Sequence, residues 1–258
     1  ICAIPLMNST GNFSFTDSLF EATSGLTTTG STIVTDIVHQ SRPVLLWRAI
    51  MQWIGGLGIL SLGLILLPFL RVGGMQLFRM ESSDRSEKPL PRLIEIAKSI
   101  IIIYLVLSIL CVIGYLSVGM APFDALTHAM TTVATGGFST HDESLGYYGG
   151  WKVLWVAIIF MIAGALPFSF FIAVFFARNM PRYDPQIVVF FSIAISACGI
   201  LLVADGFQRA NTFTEFSQYI FNVVSILTTT GYASGNFMDY GGIGATLFFF
   251  LIFIGGCA

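Results

Sequence analysis

The sequence predicts an all-α membrane protein made of repeated units: a span, a re-entrant helix, a tight turn and a second span. Three observations carry that prediction. The 258 residues are 55% hydrophobic and only 10% charged, whereas soluble domains carry roughly 25% charged residues. Five segments, near 44–70, 96–119, 152–177, 186–204 and 242–258, are apolar and approach or exceed the roughly 20 residues that cross a bilayer. One short turn recurs: Thr27-Thr28-Thr29-Gly30 returns as Thr228-Thr229-Thr230-Gly231, with a weaker echo at Ala134-Thr135-Gly136-Gly137.

The spans carry no acidic chemistry. No Asp or Glu falls within 53–70, 99–119, 153–176, 187–203 or 243–258, which argues against a carboxylate proton relay or an acidic ion site there. Sidedness follows from basic residues in short connections. Arg71, Arg79, Arg85, Lys88, Arg92 and Lys98 flank the first connection, and Arg178 and Arg182 the second, so both face the cytoplasm. Arg42, Arg48, Lys152 and Arg209 then fall outside, with Asp17, Glu21, Asp36, Asp124, Asp142, Glu143, Asp205, Glu215 and Asp239. The polar, proline-containing stretch 79–92 reads as a solvated loop, or alternatively as a contact site for a cytosolic partner.

Cys2, Cys111, Cys198 and Cys257 sit in apolar stretches without metal-ligand spacing and read as small buried hydrophobes. Nothing resembles a basic nucleic-acid stripe. The first residues read like the tail of an apolar segment and the last are still apolar, so the chain is expected to be a fragment at both ends.

Between the spans lie three outer stretches, 13–36, 122–142 and 213–239. Each opens on an aromatic and a helix-start residue: Phe15-Thr16-Asp17, Phe123-Asp124, Phe213-Thr214-Glu215. Thr or Asp there can accept backbone N–H groups. About a dozen residues follow before the turn, giving a helix of about 18 Å that reaches halfway through a bilayer. The stretches align without gaps. Asp17 and Asp124 each stand 13 residues before a glycine, and Phe20 and Phe221 each stand 10 before theirs. On this register the turn glycines are Gly30, Gly137 and Gly231, followed by Ser31, Phe138 and Tyr232.

Thr/Gly clusters also serve as helix-packing surfaces in membranes. Three in register, each after a half-helix and on one side, point instead to an ion filter of backbone carbonyls and Thr hydroxyls, with glycine where φ is positive. Non-helical backbone at membrane depth must be buried in protein or line a cavity. The helix C-termini present their partially negative ends to that cavity, which suits a cation. The second copy lacks two threonines but keeps its carbonyls. Asp142 and Glu143 could gather cations at the mouth, although exposed acids are more often merely solvated.

The run Trp47-Arg48-Ala-Ile-Met-Gln52-Trp53-Ile54-Gly55-Gly56-Leu57-Gly58, the three turns, Gly73-Gly-Met-Gln-Leu-Phe-Arg79-Met-Glu-Ser and the Gly-Gly-Cys-Ala ending together resemble the bacterial Trk/Ktr potassium-uptake subunits, in their TrkH/TrkG branch. The resemblance covers essentially the whole chain. It implies four such units arranged with pseudo-fourfold symmetry around a central ion pore. Residues 1–70 would then hold the end of the first unit's first span, its pore helix, turn and second span. Residues 71–92 form a cytoplasmic loop, 93–177 the second unit, 178–185 another cytoplasmic loop, and 186–258 the third unit, cut in its second span.

The implied function is potassium uptake across the bacterial cytoplasmic (inner) membrane, gated below the filter, with K⁺ as the transported ion and no covalently bound cofactor. The implied partners are the lipid bilayer, a second copy in a homodimer, and a cytosolic TrkA-type ring that binds NAD or ATP; nucleic acid is not among them. The implied filter residues are Thr27, Thr28, Thr29, Gly30, Ala134, Thr135, Gly136, Gly137, Thr228, Thr229, Thr230 and Gly231. Gly255 and Gly256 match the start of the gate loop. Arg48 reads as a residue capping or snorkelling at the outer end of a span, or bracing a turn, with Gln52 its companion one turn later. Gly55, Gly56 and Gly58 read as close helix packing. A sodium-coupled Ktr-type transporter is the rival within the class. An intramembrane enzyme is the rival outside it, but the chain has no H-E-x-x-H, G-x-S-x-G or acidic span residue.

Overall fold

The computed structural model describes residues 1–9, 13–70, 89–167, 170–171, 174, 185–204 and 212–255, leaving aside the side chains of 8–9, 59–70, 89–94 and 238. The helices are α1 (Ala3–Ser9), α2 (Phe15–Leu26), α3 (Arg42–Leu70), α4 (Pro89–Ser117), α5 (Pro122–Val133), α6 (Trp151–Ala165), α7 (Pro185–Ala204), α8 (Phe213–Leu227) and α9 (Gly241–Gly255). Among the described residues there is no strand.

The short helices α2, α5 and α8 have 12, 12 and 15 residues and end at the three turns. Their N-caps lie two or three positions before the Thr or Asp that the sequence suggested. Ser14 and Thr212, each just before the aromatic, are the N-caps, and Asp17 and Glu215 close capping boxes from the third helical position. Such a box satisfies two backbone donors that the helix itself leaves unpaired. Helix α5 has no side-chain cap and starts on Pro122, with Asp124 in its first turn; proline fits there because its missing N–H costs nothing.

Of the long apolar segments, Glu95–Ser117 and Pro185–Ala204 form helices long and apolar enough to span, with mean hydropathies of 2.7 and 2.8. Trp151–Ala165 and Gly241–Gly255 are apolar but shorter. The third segment was expected to run to 177, yet its helix stops at Ala165, where Leu166 is extended and Pro167 follows. A proline ring disfavours the helical conformation in the residue before it. The basic connections 71–88 and 175–184, Arg209, and Gly256 to Ala258 lie outside the described residues.

Packing repeats in the order of the units. Helix α2 lies against α1 and α3, α5 against α4 and α6, and α8 against α7 and α9. In addition α3 packs on α5, and α6 on α8, so the long helix after each of the first two turns covers the next short helix. The main core gathers Tyr104, Tyr115, Leu145, Met161, Phe221 and Tyr232 between α4, α5, α6 and α8. Outward faces stay apolar, for example Ile109 and Ile113 on α4 and Phe250 and Phe253 on α9. That distribution suits lipid rather than water as the surrounding solvent.

Candidate functional site

The three turns share one backbone design. Thr28, Thr135 and Thr229 have φ of 54°, 48° and 58°, and Gly30, Gly137 and Gly231 have φ of 79°, 77° and 78°. The glycines were expected to be left-handed; the threonines were not, because a β-branched residue at positive φ is a genuine outlier. Such strain, of order 1–3 kcal/mol per residue, persists only where the surroundings over-determine it. Here each short helix does so. Thr29 N–H donates to Ser24 O, Gly136 N–H to Thr131 O and Thr230 N–H to Ser225 O, all at 2.9 Å.

The first and third turns agree in their side chains as well. Thr27 and Thr228 hydroxyls donate to the carbonyls of Thr23 and Val224, both at 2.8 Å. Thr27 pairs with Thr29 at 2.7 Å and Thr228 with Thr230 at 2.8 Å. Ser24 and Ser225 donate to the carbonyls of Ser31 and Tyr232, just past each glycine.

The turns also meet one another in sequence. A Cβ on Gly30 would collide with the carbonyl oxygen of Gly136, and a Cβ on Gly137 with that of Thr230. Gly231, at the corresponding place, has no heavy atom of the described residues within 4 Å of such a Cβ. Each glycine thus approaches the carbonyl that precedes the glycine of the next turn, from the first turn to the second and from the second to the third. The residue after the glycine continues the hand-over. Phe138 lies under the Arg48 guanidinium, 4.1 Å from ring centroid to carbon, and near Gly25 on α2. The Tyr232 hydroxyl bonds Thr131 and Thr132 and donates to His128 O on α5.

Helix α3 supplies polar contacts behind the turns. Gln52 Nε2 donates to Gly136 O at 2.6 Å, and its Oε1 accepts from Phe138 N–H at 3.0 Å. Arg48 is fully buried and pairs with Glu21 of α2 at 2.8 Å. It also donates to Ser139 O at 3.3 Å and to the Thr32 hydroxyl at 3.0 Å. Glu21 in turn accepts from Thr32 Oγ1 and Ile33 N–H. Sequence reading grouped Glu21 with the outer acids and missed this pair; its one available signal was a carboxylate midway along a short helix, one turn after Asp17.

Of the helix-packing glycines, Gly55 and Gly56 lie tight against Leu26 O and against Tyr104 and Ala134, but no heavy atom of the described residues lies within 4 Å of a Cβ on Gly58. Gly55 has two equivalents. A Cβ on Gly164 would stand 2.7 Å from Val133 O, and one on Gly255 2.6 Å from Leu227 O. Leu26, Val133 and Leu227 each lie four residues before their turn glycine. Gly255 therefore seats α9 on its own short helix, and Gly164, which sequence reading missed, does the same for α6. Above the turns, Asp142 accepts from Ile37 N–H at 2.8 Å, and Gly146 N–H donates to Ala233 O at 3.1 Å. The segment around 140–148 thereby fastens to the exits of the first and third turns.

A family model described as "TrkH: Cation transport protein" matches residues 1–207. The chain belongs to the TrkH family. The Trk system potassium uptake protein TrkI of Halomonas elongata is 42% identical over 99% of the chain and 52% of its own length. TrkH of Vibrio parahaemolyticus is 37% identical over 96% of the chain and 53% of its own, and TrkG of Escherichia coli is 34% identical over the whole chain and 54% of its own. The crystal structure of the potassium transporter TrkH from V. parahaemolyticus superposes with a TM-score of 0.81 at 33% identity, over 93% of this chain and 50% of that one. The chain thus spans about half the length of the curated relatives it matches. The relatives themselves are named as potassium uptake proteins or as a potassium transporter, not as enzymes.

Proposed function

We propose that this chain carries three quadrants of a potassium-selectivity filter and serves potassium uptake across the bacterial cytoplasmic membrane. The single observation that carries the reading is the hand-over of one close contact, Gly30 to the Gly136 carbonyl and Gly137 to the Thr230 carbonyl. Three turns of one conformation, in which the first two glycines each meet the next turn's carbonyl, support a reading in which carbonyls face a common centre, as they must if they are to replace the hydration shell of an ion. Filter residues are Thr27–Gly30, Ala134–Gly137 and Thr228–Gly231. Arg48 and Gln52 support them from behind. The units run over 1–70, 93–177 and 186–258, and a fourth turn in the full-length protein closes a pseudo-fourfold ring between Gly231 and Thr29.

Gating below the filter, a homodimer and regulation by a cytosolic nucleotide-binding ring complete the proposal on the strength of family membership. K⁺ is the transported ion. Relatives named as Trk system potassium uptake proteins support that choice over the sodium-coupled rival. The test is ion flux into proteoliposomes holding the full-length protein. Potassium entry down its gradient that is indifferent to Na⁺, and that falls in selectivity with Gly30→Ser, is the expected result. Potassium entry that requires Na⁺, or a K⁺/Na⁺ ratio untouched by Gly30→Ser, overturns it.

A further inference from the structure

The second turn departs from its siblings at the position before the glycine, where Gly136 stands in place of Thr29 and Thr230. The structure gives the physical reason. A Cβ on Gly136 would fall 2.5 Å from the Gln52 carboxamide, so that side chain already occupies the space. Its two ends grip the peptides on either side of Gly137: the amide donates to Gly136 O and the carbonyl accepts from Phe138 N–H. Among the described residues no side chain does this at Thr29 or Thr230, whose hydroxyls pair within their own turns instead.

The same chain contains its own control. Gly55 and Gly164 are equivalent by their approach to Leu26 O and Val133 O. Three residues earlier on each helix stand Gln52 and Met161, both fully buried. Where the covering helix offers glutamine, the next turn has glycine. Where it offers methionine, the next turn has threonine. One polar contact thus replaces another: the carboxamide arrives from a neighbouring unit where the turn lacks its own hydroxyl.

We propose that Gln52 is a specificity-determining residue for the transported ion, holding the Gly136 carbonyl and the Gly137 peptide at the second quadrant. This rests on the filter reading above. A carbonyl that also accepts an amide hydrogen bond shares its lone pairs between that donor and the ion, so the second quadrant coordinates differently from the first and third. Gln52 fixes the aim of that carbonyl, and with it the fit to K⁺ over Na⁺.

The experiment compares K⁺ and Na⁺ flux in proteoliposomes of the full-length protein bearing Gln52→Met, Gly136→Thr, both together, and separately Gly30→Ser. Gln52→Met is expected to lower the K⁺/Na⁺ ratio by about fivefold, the weight of one buried hydrogen bond. Gly136→Thr alone, driven into Gln52, is expected to lose transport by more than about tenfold. The double change, which copies the Met161–Thr230 pairing, is expected to recover most of that loss. An unchanged ratio in Gln52→Met, or a double variant no better than Gly136→Thr alone, overturns the proposal. If the threonine variants do not elute as folded protein, Gly136→Ala with and without Gln52→Met decides on the same criterion. A Gly30→Ser protein of native selectivity would instead remove the filter reading itself. Altered selectivity there with none in the Gln52 variants removes only this inference.

Discussion

Glu21 and Arg48 form a buried ion pair, 2.8 Å from carboxylate to guanidinium nitrogen, joining α2 to the long helix α3 behind it. Removing both charges from water costs several kcal/mol per ion, which the pair recovers only through good geometry and further hydrogen bonds. Thr32 and Ile33 complete the carboxylate, while Ser139 O and the Phe138 ring complete the guanidinium. One ion pair therefore fastens the exit of the first turn to the exit of the second.

Arg48→Ala should destabilise the protein by about 3–5 kcal/mol, because Glu21 is left buried without its partner. The double variant Glu21→Gln/Arg48→Met should recover much of that loss, since neither charge then needs a counterpart. Thermal unfolding of the full-length protein in detergent reads both. A double variant no more stable than Arg48→Ala would show that the stabilisation does not come from the pairing.

The turn glycines carry two burdens of different kinds. All three need positive φ, which costs other residues roughly 1–2 kcal/mol, but only Gly30 and Gly137 have a neighbouring carbonyl where a Cβ would go. A fourth turn would give Gly231 the same neighbour. Gly231→Ser in the full-length protein is therefore expected to relax K⁺ over Na⁺ selectivity as severely as Gly30→Ser. A clearly milder Gly231→Ser, measured as the permeability ratio, would mean that the position beside Gly231 stays open and the ring is not closed there.

Much of this was legible because the repeat is written in threonine and glycine, residues whose backbone and hydroxyl roles are local. Short helices, turn positions and register follow from spacing alone. What sequence could not display were contacts between units: Glu21 with Arg48, Tyr232 with Thr131, Gln52 around Gly137. Each joins residues roughly 27 to 101 positions apart, and no periodicity of 2 or 3.6 points across such distances. Gly164 was within reach, lying 27 residues after Gly137 much as Gly55 lies 25 after Gly30. Gly58 looks like Gly55 and Gly56 in the sequence, and it differs from them only in having no heavy atom of the described residues within 4 Å of a Cβ.

That difference is testable in one helix. Gly55→Ala drives a methyl group into Leu26 O and should cost about 1–3 kcal/mol by forcing α3 away from the end of α2. Gly58→Ala meets no such atom among the described residues and should be neutral or stabilising by up to about 1 kcal/mol, because alanine is the better helix former. Paired melting curves of the full-length variants check the contrast. Equal losses at the two positions would place the helix face elsewhere.

The Tyr232 hydroxyl sits at the junction between the third turn and the second short helix, fully buried and bonded to Thr131, Thr132 and the His128 carbonyl. His128 fixes its own tautomer there. Its Nδ1 faces Asp124 O, which can only accept, so the proton is on Nδ1, and Nε2 accepts from the Ser139 hydroxyl at 3.0 Å. Ser139 O is also an Arg48 acceptor, so the tyrosine, histidine and arginine contacts form one connected network around the second turn. Tyr232→Phe keeps the ring and removes only the hydroxyl, which should cost about 1–2 kcal/mol, with Thr131 losing its interunit partner. Thr131→Val alone should cost a similar amount. Together they should cost less than the sum by about 0.5 kcal/mol or more, the coupling expected of residues in direct contact. A strictly additive pair would mean that the hydroxyls do not bond in the assembled protein, and that the third turn is held to the second unit by ring packing alone.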